Sequence, residues 1–144
     1  MIKNDRQFRI TKAQAEKFEN AIREAASASK SPVHPVLQRA QIDALKSQLS
    51  DLRRELDEYS ALRSGRRKTV ALGSLDDLPK TLIQARIAAG LTQEQLASKL
   101  GLKPQQIQRY EATDYQSASM ERMREILRAL GVRFRHPVEL RLVS

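Results

Sequence analysis

The sequence predicts an all-α protein in two parts, a helical hairpin followed by a cluster of short helices. Three observations carry that prediction. Apolar residues make up 40% of the 144 positions, yet only three are Phe, three are Tyr and none is Trp. The core is then mostly Leu, Ile, Val and Ala, side chains that suit helices. The apolar residues of each longer run recur at spacings of three and four, the period of an amphipathic helix. The five glycines and five prolines act as punctuation between those runs. The length suits one ordinary domain or two small ones.

Residues 11–29 read as a first helix. Thr11 stands where an N-cap belongs, and Ala15, Phe18, Ile22 and Ala25 form one apolar stripe before the polar SASKSP stretch ends it. Pro32 and Pro35 break the chain there. Residues 36–63 read as a longer helix. Ile42, Leu45, Leu49, Leu52, Leu56 and Tyr59 alternate spacings of three and four, an a/d heptad pattern with Arg63 at the next a position. The two stripes suit an antiparallel hairpin. The longer stripe also suits a coiled coil with a second chain. Asp51, Glu55, Asp57 and Glu58 lie beside Arg53 and Arg54 and read as a solvated, salt-bridged face rather than paired catalytic carboxylates.

Residues 65–74 read as a linker that carries the basic triplet Arg66, Arg67 and Lys68. The triplet is either a solvated linker or an arm that touches phosphate or enters a minor groove. Thr69–Leu72 is a candidate short strand. Four short helices follow. Asp76 or Asp77 caps the first, Pro79 lies in its first turn, and Gly90 ends it. Thr92 and Gln95 form a capping box that opens the second, which ends at Gly101. Pro104 opens the third, and Ser119 caps the fourth, whose stripe is Met123, Ile126, Leu127 and Leu130 before Gly131. Helices two and three, joined by a three-residue turn containing Gly, describe a helix-turn-helix. Ala97 is small where the two approach, Gly101 accepts a positive φ, and Leu96, Leu100, Leu102, Ile107 and Tyr110 supply the apolar contacts. After Gly131, Val138, Leu140 and Leu142 alternate with Glu139, Arg141 and Val143. That reads as a short C-terminal strand, pairing with 69–72 or with the same strand of another subunit. His136, beside Pro137, reads as a turn residue.

Several function classes fall away. With no cysteine there are no disulfides, thiol catalysis or Cys-based zinc sites. His34 and His136 lie far apart, so no metal spacing exists, and no catalytic triad or Gly-rich phosphate loop is present. No cofactor is expected and no enzyme activity can be named. No apolar run approaches the roughly 18 residues of a membrane span, and the polar start MIKNDRQFRITKAQ is unlike a secretory signal. The expectation is a cytoplasmic protein without a membrane partner. Lys and Arg total 26 against 17 Asp and Glu, a net +9 that favours polyanionic partners. Neither half is acidic, so charge alone does not place the site.

The run ARIAAGLTQEQLASKLGLKPQQIQRYE at 85–111 resembles the Cro/cI-type (xenobiotic response element, XRE) helix-turn-helix family. The matching elements are Arg86 four residues before Gly90, the run GLTQEQLA at 90–97, Gly101, Ile107 and Glu111. The resemblance covers about residues 75–132. It implies a five-helix lambda-repressor-like domain over 75–132; the hairpin over 1–64 and the extended segment over 133–144, read from the residues, lie outside it. It implies that the second helix of the motif docks in the major groove of double-stranded DNA, with Lys103, Pro104, Gln105, Gln106 and Arg109 nearest the bases. Gln pairs bidentately with adenine, and Arg or Lys with guanine. Gln93 is implied as a phosphate contact, Tyr115, Ser117 and Ser119 are further phosphate candidates, and Arg86 and Glu111 are implied as a structural ion pair. Lys103 departs from the Ser or Thr often found there and cannot cap through its side chain. Pro104 removes one amide that needs a cap, and Lys103 is left to reach a phosphate.

The expected function is sequence-specific regulation of transcription, by repression, as a homodimer on an inverted repeat. The rival reading is an antitoxin whose hairpin binds a toxin protein while the DNA-binding domain represses the operon. A third is an interaction module with the hairpin as its working surface.

Overall fold

The computed structural model describes residues 1–27 and 34–143. The chain divides into two compact units, Met1–Thr69 and Val70–Ser144. Residues 28 and 29 of the expected first helix and the break at Pro32 lie outside the described residues.

The first unit is an antiparallel hairpin of α1 (Asp5–Ser27) and α2 (Pro35–Arg63). Helix α1 begins six residues earlier than Thr11. Asn4 is the cap, its Oδ1 accepting from the Gln7 amide at 2.9 Å, while Gln7 Oε1 accepts from the Lys3 amide at 2.8 Å. Two cap-like residues stood in line, and the one that lets the stripe run back through Phe8 wins. Phe8 stacks on Tyr59 with centroids 5.3 Å apart. Tyr59 Oη donates to Asp5 Oδ1 at 2.7 Å, and Asp5 Oδ2 lies 3.5 Å from Arg63. At the other end, Gln38 Nε2 donates to the Ala25 carbonyl at 2.7 Å, and His34 Nδ1 accepts from the Val36 amide as the cap of α2.

The stripe of α2 packs on α1. Leu49 and Tyr59 are buried and Ile42, Leu45, Leu52 and Leu56 half-buried. The last heptad position differs from expectation. Leu62 is buried and Arg63 is exposed, its guanidinium 3.5 Å from Asp5, because a charged head stays near water where an adjacent Leu can fill the core. The acidic cluster is a salt-bridged face as expected, with Arg54 on Asp51 and Arg53 reaching Glu19 of α1 at 2.7 Å. Arg66 and Arg67 of the basic triplet fold back onto Asp57 (2.7 Å) and Glu58 (3.4 Å).

The second unit begins with a 3-10 turn at Leu75–Asp77, followed by α3 (Leu78–Ala88), α4 (Gln93–Lys99), α5 (Pro104–Ala112) and α6 (Met120–Ala129). Ser74 Oγ accepts from the Asp76 amide, and Asp77 Oδ2 accepts from the amides of Gly73 and Ser74. Asp77 thus secures the turn before α3 rather than the helix after it. Leu82, Ile83, Ile87, Leu96, Ala97, Ile107 and Ile126 form the core of this unit.

Neither expected strand is present among the described residues. Residues 69–72 and 132–143 form no ladder. Alternation makes a segment competent for a sheet, but a strand exists only when its amides and carbonyls find a partner edge. Val138, Leu140 and Leu142 are 65%, 82% and 90% exposed. No helix among the described residues is long and apolar enough to cross a membrane.

Candidate nucleic-acid interface

The interface rests on how α4 and α5 are started, stopped and held. Thr92 Oγ1 accepts from the Gln95 amide at 3.1 Å, and Gln95 Oε1 accepts from the Thr92 amide at 2.8 Å. This is the expected capping box. Helix α4 ends at Gly101, whose φ of +65° lets the Leu102 amide reach back to the Ala97 carbonyl at 2.8 Å. That closure needs a left-handed residue just past the helix end. The chain then turns within Leu102 and Lys103, and Pro104 opens α5 with φ already set.

The start of α5 is built in a way the sequence reading did not assign. Gln106 Oε1 accepts from the Lys103 amide at 3.0 Å. The spacing is that of Thr92 and Gln95, and this signal was available in the sequence. Gln106 therefore makes the reciprocal half of a capping box, the half that needs nothing from the Lys103 side chain. Its carboxamide is committed to the helix start, which separates it from the other members of the expected base-reading set.

Ile107 and Glu111 are fully buried on the inner side of α5. Gln105 and Arg109, one turn apart, lie on the opposite side of the helix and are exposed. Lys103 is exposed beside them and Pro104 half-buried beneath. Neither Gln105 nor Arg109 makes a side-chain hydrogen bond or ion pair among the described residues. Exposed donors on a short, rigid helix face fit an incoming surface of acceptors.

Arg86 and Glu111 lock α5 to α3. Arg86 Nε and Nη2 donate to the two Glu111 oxygens at 2.5 and 2.8 Å, and Nη1 donates to the Leu91 carbonyl at 2.9 Å. Both side chains are almost wholly buried, at 3% and 0% exposure. A bidentate fork whose third nitrogen also has an acceptor is the arrangement in which a buried ion pair is tolerated. Gln93 completes the group, its Nε2 donating to Glu111 Oε2 at 2.7 Å. Gln93 is half-buried, so the amide group expected to meet a phosphate is engaged internally.

The loop after α5 sorts the remaining candidates. Tyr115 is 3% exposed and stacks on Tyr110 with centroids 5.8 Å apart, so it offers no hydroxyl to a phosphate. Its Oη has no hydrogen-bond partner among the described residues. Burial, reinforced by the Glu111 carboxylate, holds its phenol well above the ordinary tyrosine range. Asp114 and Tyr115 both have positive φ, 48° and 57°. The Tyr115 amide closes α5 onto the Tyr110 carbonyl at 2.7 Å, with Asp114 in the place a glycine takes after the other helices of this unit. Ser117 is exposed. Ser119 caps α6 by accepting from the Arg122 amide at 3.1 Å, a bond that leaves its own hydroxyl proton unused.

A comparison with family models matches residues 82–136 to a family described as helix-turn-helix. No curated protein and no solved structure gives a match. The matched segment contains most of α3, both helices of the motif, the buried Arg86–Glu111 pair and α6. Its family is one of DNA-binding regulatory domains rather than enzymes, and residues 82–136 of this chain are accordingly a Cro/cI-type (XRE family) helix-turn-helix domain, the double-stranded-DNA-binding part of a transcriptional regulator.

Proposed function

We propose that the protein represses transcription as a homodimer, each copy placing α5 in the major groove over one half of an inverted repeat. The observation that carries this reading is the outward face of α5. Gln105 and Arg109 stand exposed and without protein partners, directly opposite the buried side that fixes the helix. In this reading Gln105 addresses an adenine and Arg109 a guanine. Lys103 supplies a phosphate contact, and Ser117 and Ser119 supply others from the loop before α6. Gln93 reaches the backbone by giving up its bond to Glu111, or else contributes only through its main-chain amide. Pro104 packs against the groove edge, and Gln106 acts through the helix start it secures.

One α5 reads only a few base pairs, so a twofold dimer with reading helices about 34 Å apart supplies the missing selectivity. A surplus of nine positive charges adds sequence-independent attraction to the phosphate backbone. The chain's division into two units favours a second reading as well, in which the hairpin carries a separate task such as binding a toxin.

Selection from a random duplex pool at about 50 and 200 mM salt tests the first reading, since phosphate-driven binding changes steeply over that range. An inverted repeat that stays enriched at the higher salt is the expected result. Binding that fades without enrichment would reduce the interaction to charge alone.

A further inference from the structure

Residues 137–143 are a stretch of the second unit whose sequence is made for a sheet and which joins no ladder among the described residues. They carry Val138, Leu140 and Leu142 on one face and Glu139 and Arg141, flanked by Pro137 and Val143, on the other, and Val138, Leu140 and Leu142 are 65–90% exposed. Neither Glu139 nor Arg141 has an ion-pair partner among the described residues. We propose that this segment pairs antiparallel with the same segment of a second copy, centred on Leu140 facing Leu140 of that copy. The proposal rests on the homodimer reading above and adds the surface that holds the dimer.

The sequence itself selects the register. Centring on Leu140 sets Glu139 opposite Arg141 twice, once on each side of the twofold axis, and sets Val138 opposite Leu142 twice. Centring one residue earlier sets Glu139 against itself, and one residue later sets Arg141 against itself. Shifts by half a step set apolar residues opposite charged ones. A parallel pair aligns like charges alongside each other. Only the Leu140-centred antiparallel register makes every cross-strand pair favourable.

Proline agrees with that register. Residues facing each other in an antiparallel ladder alternate between hydrogen-bonded and non-hydrogen-bonded pairs. With Leu140 at a hydrogen-bonded pair, Pro137 falls at a non-hydrogen-bonded pair, where its missing N–H breaks no bond. Pro137 is also the first residue of the ribbon, a position where proline is accepted. In the same phase Glu139 and Arg141 fall at non-hydrogen-bonded pairs. Those bring side chains closest, with Cα atoms about 4.5 Å apart.

The test uses the full chain and reads its dimer dissociation constant by sedimentation equilibrium. Glu139→Arg or Arg141→Glu alone sets like charges opposite each other twice per dimer and raises that constant by about tenfold. The double variant E139R/R141E restores the opposite-charge pairs and returns the constant to that of the unaltered chain. The chain contains no cysteine, so Leu140→Cys introduces a single thiol. At a hydrogen-bonded pair with Cα atoms about 5.5 Å apart, within disulfide range, it cross-links under mild oxidation. A dimer indifferent to the charge inversions and not cross-linked through position 140 overturns this proposal, while the homodimer reading stands through another surface. A chain that is monomeric, both free and on a selected operator, overturns both. All these residues are exposed, so helical content by circular dichroism stays unchanged in every variant.

Discussion

Arg86 and Glu111 bring two charges into the interior of a small domain, and their removal one at a time is costly. Arg86→Met or Glu111→Leu alone strands the other charge and lowers stability by roughly 3–5 kcal/mol, whereas the double substitution costs much less than the sum. Urea denaturation of the two single variants and the double variant checks this. Gln105→Ala and Arg109→Ala act outside the core. Each leaves the denaturation midpoint within about 0.5 kcal/mol of the parent and weakens binding to the selected operator by about 1–3 kcal/mol, with relaxed choice at one base pair. Titration against operators mutated position by position measures both. Tyr115 gives a pH signature. Its raised phenol stays protonated in the folded state after the unfolded chain has lost the proton, so stability is level up to about pH 10 and falls above it. Tyr115→Phe removes that alkaline loss and costs little near neutrality, because the hydroxyl has no partner among the described residues. Stability followed across pH 8–11 in both proteins, with the fall confined to the parent above about pH 10, is the expected result.

Helix boundaries were legible where capping chemistry was unambiguous. Thr92 with Gln95, Pro104, Ser119, Gly90, Gly101 and Gly131 mark α3 to α6 to within about two residues. Asn4 was hidden because Thr11 offers the same chemistry in line, and single-residue spacing cannot rank two caps in one continuous helix. Gln106 stands at the spacing from Lys103 that Gln95 has from Thr92, but with Lys at the N-cap only one half of the box is visible. Tyr115 looked like a loop hydroxyl. Only the packing of Tyr110 shows that its ring is core. The C-terminal alternation has a period of two and suggests a strand that the described residues do not form, because a strand is a property of two segments and a sequence displays one. At the same scale, Asp114 holds a left-handed conformation that costs a residue with a Cβ energy. Asp114→Gly is expected to stabilise the second unit by up to about 1 kcal/mol, seen as a higher thermal midpoint.

Across the whole molecule, the surplus charge of +9 was visible at once and its use was not. The structure divides that charge by occupation. Arg53, Arg54, Arg66 and Arg67 of the first unit pair with carboxylates of α1 and α2. Arg86 serves the core of the second. Lys103 and Arg109 remain exposed at the candidate interface. Lys103→Ala should therefore weaken binding almost equally across DNA sequences and reduce the slope of affinity against salt by about one counterion per copy. Binding isotherms at four or five ionic strengths would show it. The antitoxin and repressor readings differ only in what the hairpin does, and a pairing surface in the last residues would leave that hairpin free in either.

The stops at Gly101 and Asp114 bear on how the domain meets DNA. The turn before α5 is closed by the Leu102 amide on Ala97, its start by the Lys103 amide on Gln106 Oε1, and its end by the Tyr115 amide on Tyr110. The helix is therefore finished before DNA arrives and has no turn left to add. Little ordering remains to be done on binding, so the heat-capacity change should match the apolar surface covered and no more, the calorimetric mark of a preformed probe rather than of a segment that folds on its target.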